Sequence, residues 1–273
     1  MYAIDFEYDG QLLSEYNCII CDFDGASGAV FASAGSSITF NKVTRNFGRS
    51  NSLAGIQYDE CITATFDICK DPDNIEYDED KYFSSVEYRA IMRWLNRGSF
   101  NKFYVIYEHE DVDVSFYNAS FNVEKIKIGE RVCGLRLTME TDRPYAYGEE
   151  QKYNFSISGS NLDEGFTVTD ISDDIGDTSP IMRITCTESG DLYIENSTMG
   201  LTTIILNCSK NEEIIIDGNT MTIKTNANNN IWDRFNYVFP QITNSIDNRD
   251  NEFRFSMPCN VVITYTPIIK ETL

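Results

Sequence analysis

Histidine is almost absent from this 273-residue chain: His109 is the only one, set in Glu108-His109-Glu110-Asp111. A His-rich metal site is thereby excluded. A His-based triad would have to be built on this one residue beside no Gly-x-Ser-x-Gly nucleophile motif. Runs of Lys or Arg are also missing, which removes the clustered cations that tight nucleic-acid binding requires. No apolar run approaches the roughly 20 residues needed to span a bilayer, and Met1-Tyr2-Ala3-Ile4-Asp5 lacks the basic and apolar regions of a signal peptide. Synthesis and folding in the cytoplasm, without membrane insertion, are therefore expected. No segment repeats at a fixed period.

Acidic and aromatic residues are plentiful. The formal net charge is −21, and both halves share it: residues 1–148 hold 14 Lys/Arg against 24 Asp/Glu, and residues 149–273 hold 8 against 19. Such acidity suits solubility, and it equally suits a surface that must repel phosphate. Sixteen Tyr and seventeen Phe supply the large rigid side chains that favour sheets.

The clearest local signal is one helix. Phe83-Ser84-Ser85-Val86-Glu87-Tyr88 reads as a capping box, Ser84 accepting from the Glu87 amide and Glu87 reaching back. Val86, Ala90, Ile91, Trp94 and Leu95 form the predicted apolar stripe, and Gly98 is the expected left-handed C-terminal cap. Around this helix the pattern is strand-like. Residues 2–8, 15–23, two or three segments within 38–69, Lys102–Glu108, Val112–Phe121 and Arg131–Glu140 are predicted strands, and Asn46–Asn51 an exposed loop. After Gly148-Glu149-Glu150-Gln151 no helical stripe recurs. Hairpins are expected at Ser189-Gly190 and at Asp217-Gly218, the latter through a positive φ, and Cys259–Tyr265 reads as a last strand stopped by Pro267. The only compositional bias is the Asn-rich turn Asn226–Asn230. The fold class is mainly β, with an N-terminal sheet domain carrying one helix (1–148) followed by an antiparallel β-sandwich (149–273).

Cys18-Ile19-Ile20-Cys21 has redox spacing, but on a strand its thiols lack the helix dipole that would activate them, and no partner pair stands at zinc spacing. The eight cysteines read as reduced structural thiols. Asp71–Asp80 is dense in carboxylates, yet Glu76 stands where an EF-hand needs Gly, so an acidic solvated loop is expected there and at Asp170–Asp177. Among 43 acidic residues nothing singles out a glycosidase pair. No catalytic, cofactor-binding or metal residues are assigned, and no enzyme is predicted.

Several segments, in order, resemble the distal tail protein family of siphophage-type tails. They are Trp94-Leu95-Asn96 followed by Phe103-Tyr104-Val105; Thr141-Asp142-Arg143-Pro144-Tyr145-Ala146-Tyr147; Ser179-Pro180-Ile181-Met182-Arg183-Ile184 with Glu213-Ile214-Ile215-Ile216-Asp217; and Phe239-Pro240-Gln241-Ile242. The resemblance implies a homo-hexameric ring of N-terminal domains with galectin-like C-terminal sandwiches projecting outward. It further implies a hub that contacts the tail tube protein above, a tail-associated fibre or lysin protein below and, in many members, receptor-binding proteins at its periphery. DNA would pass through the channel without tight binding. The expected location is the virion tail tip. Sugar-binding galectins use a His-x-Asn-x-Arg strand and a stacking Trp, whereas here His109 lies outside the sandwich and Trp232 sits in Asn-Ile-Trp-Asp. The alternative is a carbohydrate-binding surface module, which accounts only for the second half.

Overall fold

The structure, a computed structural model, describes residues 3–23, 38–44, 51–58, 61–108, 115–159, 164–245 and 247–270. Two compact units divide the chain: Met1–Tyr147 with Lys270–Leu273, and Gly148–Ile269. Strands dominate both, in agreement with the mainly β expectation.

The first unit is built from β1 (Ala3–Tyr8), β2 (Gln11–Leu12), β3 (Cys18–Cys21), β4 (Ile38–Thr44), β5 (Asn51–Tyr58), β6 (Thr63–Lys70), α1 (Ser85–Leu95), β7 (Asn101–Tyr107), β8 (Tyr117–Ile128), β9 (Arg131–Thr141) and β10 (Ala146–Tyr147). Seven of these strands form one antiparallel sheet in the order β2-β1-β7-β8-β9-β6-β3. Both edges are short strands, which limits the unpaired backbone they present. The strand expected at Val112–Phe121 starts at Tyr117 and runs on to Ile128, and residues 109–114 lie outside the described residues. Its second half is mostly exposed, and the adjacent Glu124 and Lys125 break the apolar alternation that would have marked it. Gly129, at φ +62, makes the tight link to β9, a conformation that costs glycine little. The hairpin β4–β5 is a separate two-stranded sheet; the expected loop at 46–51 falls almost wholly outside the described residues.

The capping box is present as expected: the Ser84 hydroxyl accepts from the Glu87 amide at 3.3 Å, and the Glu87 carboxylate accepts from the Ser84 amide at 2.7 Å. Two helix expectations fail. Val86 is 76% exposed, because at 100° per residue it lies about 130° from the mean direction of Ile91, Trp94 and Leu95, the residues actually buried. Gly98 is not a left-handed cap; α1 ends at Asn96, whose amide reaches the Met92 carbonyl with φ −84°. Arg97 finishes the end by donating to the Trp94 carbonyl at 3.0 Å. The buried face of α1 completes an aromatic core. Trp94 stacks on Phe6 and Tyr16, while Phe66 meets Phe6 edge-on, Phe103 is tilted against it and Phe121 is offset-stacked on it.

The second unit contains β11 (Gln151–Ile157), β12 (Phe166–Thr169), β13 (Gly176–Thr178), β14 (Ile181–Cys186), β15 (Gly190–Asn196), β16 (Leu201–Cys208), β17 (Glu213–Asp217), β18 (Thr222–Thr225), β19 (Ile242–Asn244), β20 (Asp250–Phe255) and β21 (Cys259–Tyr265). Sheets β11-β21-β14-β17-β18 and β12-β20-β15-β16 enclose one core, an antiparallel sandwich. Period-2 alternation sends Met182, Ile184 and Cys186 inward against Ile214, Ile216, Val261 and Ile263, while Leu192, Ile194, Ile205, Phe253 and Phe255 fill it from the other sheet. Each of the Val, Leu, Ile, Phe and Met side chains contributes about 1.5–3 kcal/mol of hydrophobic stabilisation.

The two predicted hairpins divide. Asp217-Gly218 does join β17 to β18, but Gly218 is not at positive φ; Met221, at +52, is. Glycine is needed at 218 because a Cβ would come within 2.6 Å of the Ser179 Cβ and 3.0 Å of the Pro180 carbonyl oxygen. Ser189-Gly190 makes no hairpin: β14 and β15 belong to opposite sheets, and the chain crosses the sandwich there. Each strand carries an inward apolar face, and burying both faces in one core favours this crossing over direct pairing.

Candidate functional site

The polar clusters singled out in the sequence are engaged in structural bonds. Asp71 caps a short turn, accepting from the Asp73 amide at 3.0 Å and from the Asn74 side chain at 2.8 Å. Asp80 accepts from the Tyr77 amide, and Asp78 pairs with Lys81. In the second acidic stretch, Asp170 is buried and one of its carboxylate oxygens accepts from both the amide and the hydroxyl of Ser172. Among the described residues no group of three or more His, Cys, Asp or Glu is arranged to hold a metal. His109 lies outside the described residues.

The cysteines are free among the described residues, five of them buried and Cys61 exposed. Cys18 and Cys21 sit on β3 as expected. Burial pushes the Cys18 thiol up to about 12, and a hydrogen bond with Cys69 together with burial holds Cys21 protonated. Neither carries the lowered pKa that marks an activated thiol. Cys186 and Cys259 face each other across β14 and β21 inside the sandwich core.

The segment 141–147 is anchored to the first unit. The Thr141 hydroxyl donates to the Arg143 carbonyl at 2.6 Å and accepts from the Ile62 amide at 3.0 Å. Asp142 accepts from Asn118 and from the Tyr147 hydroxyl, each at 3.1 Å. Arg143 lies against the rings of Tyr145 and Tyr147, and Phe116 and Tyr147 form a backbone bridge. Burial raises the Tyr147 phenol, keeping it a neutral donor.

What stands out on the first unit is the hairpin β4–β5. Phe40, Val43 and Leu53 are each more than half exposed on it. Residues 25–58 contain no Asp or Glu but hold Lys42, Arg45 and Arg49, an acid-free island in a chain of net charge −21. In the sequence the signal is a gap in the acidic residues rather than a run of basic ones.

The described residues form a β-rich chain of two units with an exposed apolar hairpin, and Asp71, Asp78, Asp80 and Asp170 serve as caps, turn anchors or a surface pair. By comparison with known families, this chain belongs to the phage tail protein family, residues 1–143 matching its "Phage tail protein N-terminal domain" and residues 145–265 its "Phage tail C-terminal domain". It is a component of the phage tail. Among solved structures it is similar to the crystal structure of the Dit protein of phage SPP1, described as a paradigm of the hub adsorption apparatus in phages infecting Gram-positive bacteria. Sequence identity is 14%, the match covers 97% of this chain and 99% of that one, and the TM-score is 0.65. That likeness establishes the shared fold. No curated protein sequence matches the chain.

Proposed function

We infer that this chain is the hub at the distal end of a phage tail: six copies close a ring through their N-terminal units. The ring joins the tail tube protein to a tail-associated fibre or lysin protein, and receptor-binding proteins attach at its periphery. The C-terminal sandwiches project outward as galectin-like modules, and the role is structural, without catalysis. Membership of the tail family and the fold shared with a hub protein support this reading.

The observation that carries the ring is the β4–β5 hairpin. It exposes Phe40, Val43 and Leu53 and has no carboxylates, so an acidic face of a neighbouring copy complements it in both polarity and charge. A head-to-tail contact of this kind closes into a ring when its rotation allows. Light scattering on the purified protein, alone and with the tail protein encoded downstream, is expected to show a species of six times the 31.2 kDa chain mass. Replacing Phe40 and Leu53 together by aspartate is expected to leave monomers. A wild-type monomer in both preparations overturns the ring, and a hexameric double variant overturns the hairpin as its interface.

DNA crosses such a ring during ejection, and an acidic lumen repels phosphate, whereas Lys and Arg would hold it through counterion release. The 24 acidic against 14 basic residues of 1–148 are sufficient to line it. The assembled ring is expected not to retain duplex DNA in a gel-shift assay at physiological salt. Tight retention there contradicts the low-friction channel.

A further inference from the structure

Tyr237 has φ +61, a left-handed backbone conformation that a bulky side chain adopts only under constraint, and its side chain is 65% exposed. The constraint comes from both neighbours. The Asn236 amide donates to the Ile204 carbonyl, and the Asn236 side chain accepts from the Ile204 amide at 3.0 Å and donates to the Thr202 carbonyl at 2.9 Å. On the other side the Thr203 hydroxyl donates to the Val238 carbonyl at 2.8 Å. Residues 236 and 238 are thus pinned to β16, and the residue between them bulges outward. Glycine would fill this position without strain; the chain puts a tyrosine there instead.

The displayed ring has a backing. Tyr237 stacks on Trp232, with centroids 5.7 Å apart and planes 27° from parallel, and Trp232 packs in turn on Phe235 and Phe239 at the rim of the sandwich core. Trp232 sits in the turn Ile231–Asp233, capped by the Asn230 side-chain oxygen. The Trp232 indole N–H, the Asn230 side-chain NH₂ and the Tyr237 hydroxyl have no hydrogen-bond partner among the described residues, and Asn228, Asn230, Asp233 and Asn236, close to them along the chain, are exposed.

We propose that Tyr237, backed by Trp232, is the stacking platform of a binding site for a neutral pyranose in a cell-surface glycan. The C–H face of a pyranose matches a flat aromatic face, and unused N–H and O–H donors at its edge match the ring hydroxyls. A protein contact would call for a wider apolar patch, as on the β4–β5 hairpin, whereas Tyr237 is a single exposed ring whose chain neighbour Asn236 is polar and exposed. Charge selects a neutral sugar, because the 19 acidic and 8 basic residues of 149–273 repel anionic polymers. The site does not depend on ring formation by the first unit.

The test is tryptophan fluorescence of the full chain titrated with methyl glucoside, methyl galactoside, methyl rhamnoside and N-acetylglucosamine, and with a neutral tetrasaccharide of each. Trp94 is buried in the other unit, so the response reports Trp232. A saturable change is expected with at least one sugar, at about millimolar affinity for a single ring. Tyr237→Ala and Tyr237→Gly should weaken it by about tenfold or more, while Tyr237→Phe keeps it within about twofold. Tyr237→Gly relieves the positive φ, which offsets the lost ring contacts, and thermal unfolding of both variants separates loss of the site from loss of the fold. The proposal is overturned if no sugar gives a saturable response by fluorescence or by saturation-transfer NMR, or if binding survives in both the Ala and Gly variants. It is equally overturned if sugars are inert and Tyr237→Ala weakens association with another tail protein instead.

Discussion

Replacing Glu212 by alanine is expected to destabilise the 148–269 unit by about 3–5 kcal/mol, the usual consequence of leaving one member of a buried ion pair alone. The Glu212 and Arg234 side chains are 1% and 9% exposed, with 2.6 Å between Glu212 Oε1 and Arg234 Nη2. The carboxylate also accepts from the Thr225 hydroxyl at 2.7 Å and from the Ser209 amide at 2.8 Å. Arg234 donates further to the carbonyls of Leu206 and Asn207 and to Asn229, and its Nε is already buried without a partner. Without Glu212 the guanidinium keeps its charge and loses its counterion. The double variant Glu212→Met/Arg234→Met should cost clearly less than Glu212→Ala, because no unpaired charge remains. Urea unfolding of the three proteins checks this, and equal losses for the single and double variants would refute it.

The same pair sets a pH dependence. Burial opposes ionisation of Glu212, but the Arg234 hydrogen bond, the Ser209 amide, the Thr225 hydroxyl and the Arg234 charge outweigh it and hold the carboxyl below its ordinary value of 4.5. A carboxyl whose folded-state pKa is depressed stabilises fully above its unfolded pKa. That stabilisation is lost as pH falls through the folded value. Wild type is therefore expected to lose thermal stability more steeply than Glu212→Gln on going from about pH 5 to about pH 3. Parallel melting curves for the two proteins over that range would show that Glu212 is not the group responsible.

Trp94→Ala is expected to cost the first unit about 3–5 kcal/mol, the range for removing a large buried aromatic side chain. The indole stacks on Tyr16 at 4.5 Å and 9°, and on Phe6 at 5.5 Å and 8°. Its N–H donates to the Tyr8 carbonyl at 2.8 Å. Truncation opens a cavity lined by those rings and removes the indole hydrogen bond to the Tyr8 carbonyl. Trp94→Phe keeps most of the ring contact and loses the hydrogen bond, so about 1–2 kcal/mol is expected. Chemical denaturation of both variants measures the difference. A loss below about 1 kcal/mol for Trp94→Ala would mean that the aromatic cluster repacks around the gap.

The start of α1 was legible in the sequence because a capping box is a contact across three residues: Ser84 and Glu87 carry their own geometry. The mainly β character was legible for a similar reason, since period-2 alternation and aromatic content act on each segment where it stands. The order of weak segments along the chain was enough to suggest the tail family that the family match then established. None of these signals states which strand meets which. β14 and β15 look like a hairpin locally, yet they lie in opposite sheets because only the whole core decides where each apolar face is buried. Gly218 reads as a turn residue in the sequence, but the close approach that requires it comes from Ser179 and Pro180 on the far side of β17. Glu212 meets Arg234 across 22 residues, and the strain at Tyr237 comes from bonds to residues 202–204. The sequence by itself determined the local elements, whose energies are set by neighbours within a turn or an alternation. Tertiary structure alone decided the pairings, the buried ion pair and the displayed ring, because burial and hydrogen-bond satisfaction are met only by groups brought together from distant parts of the chain.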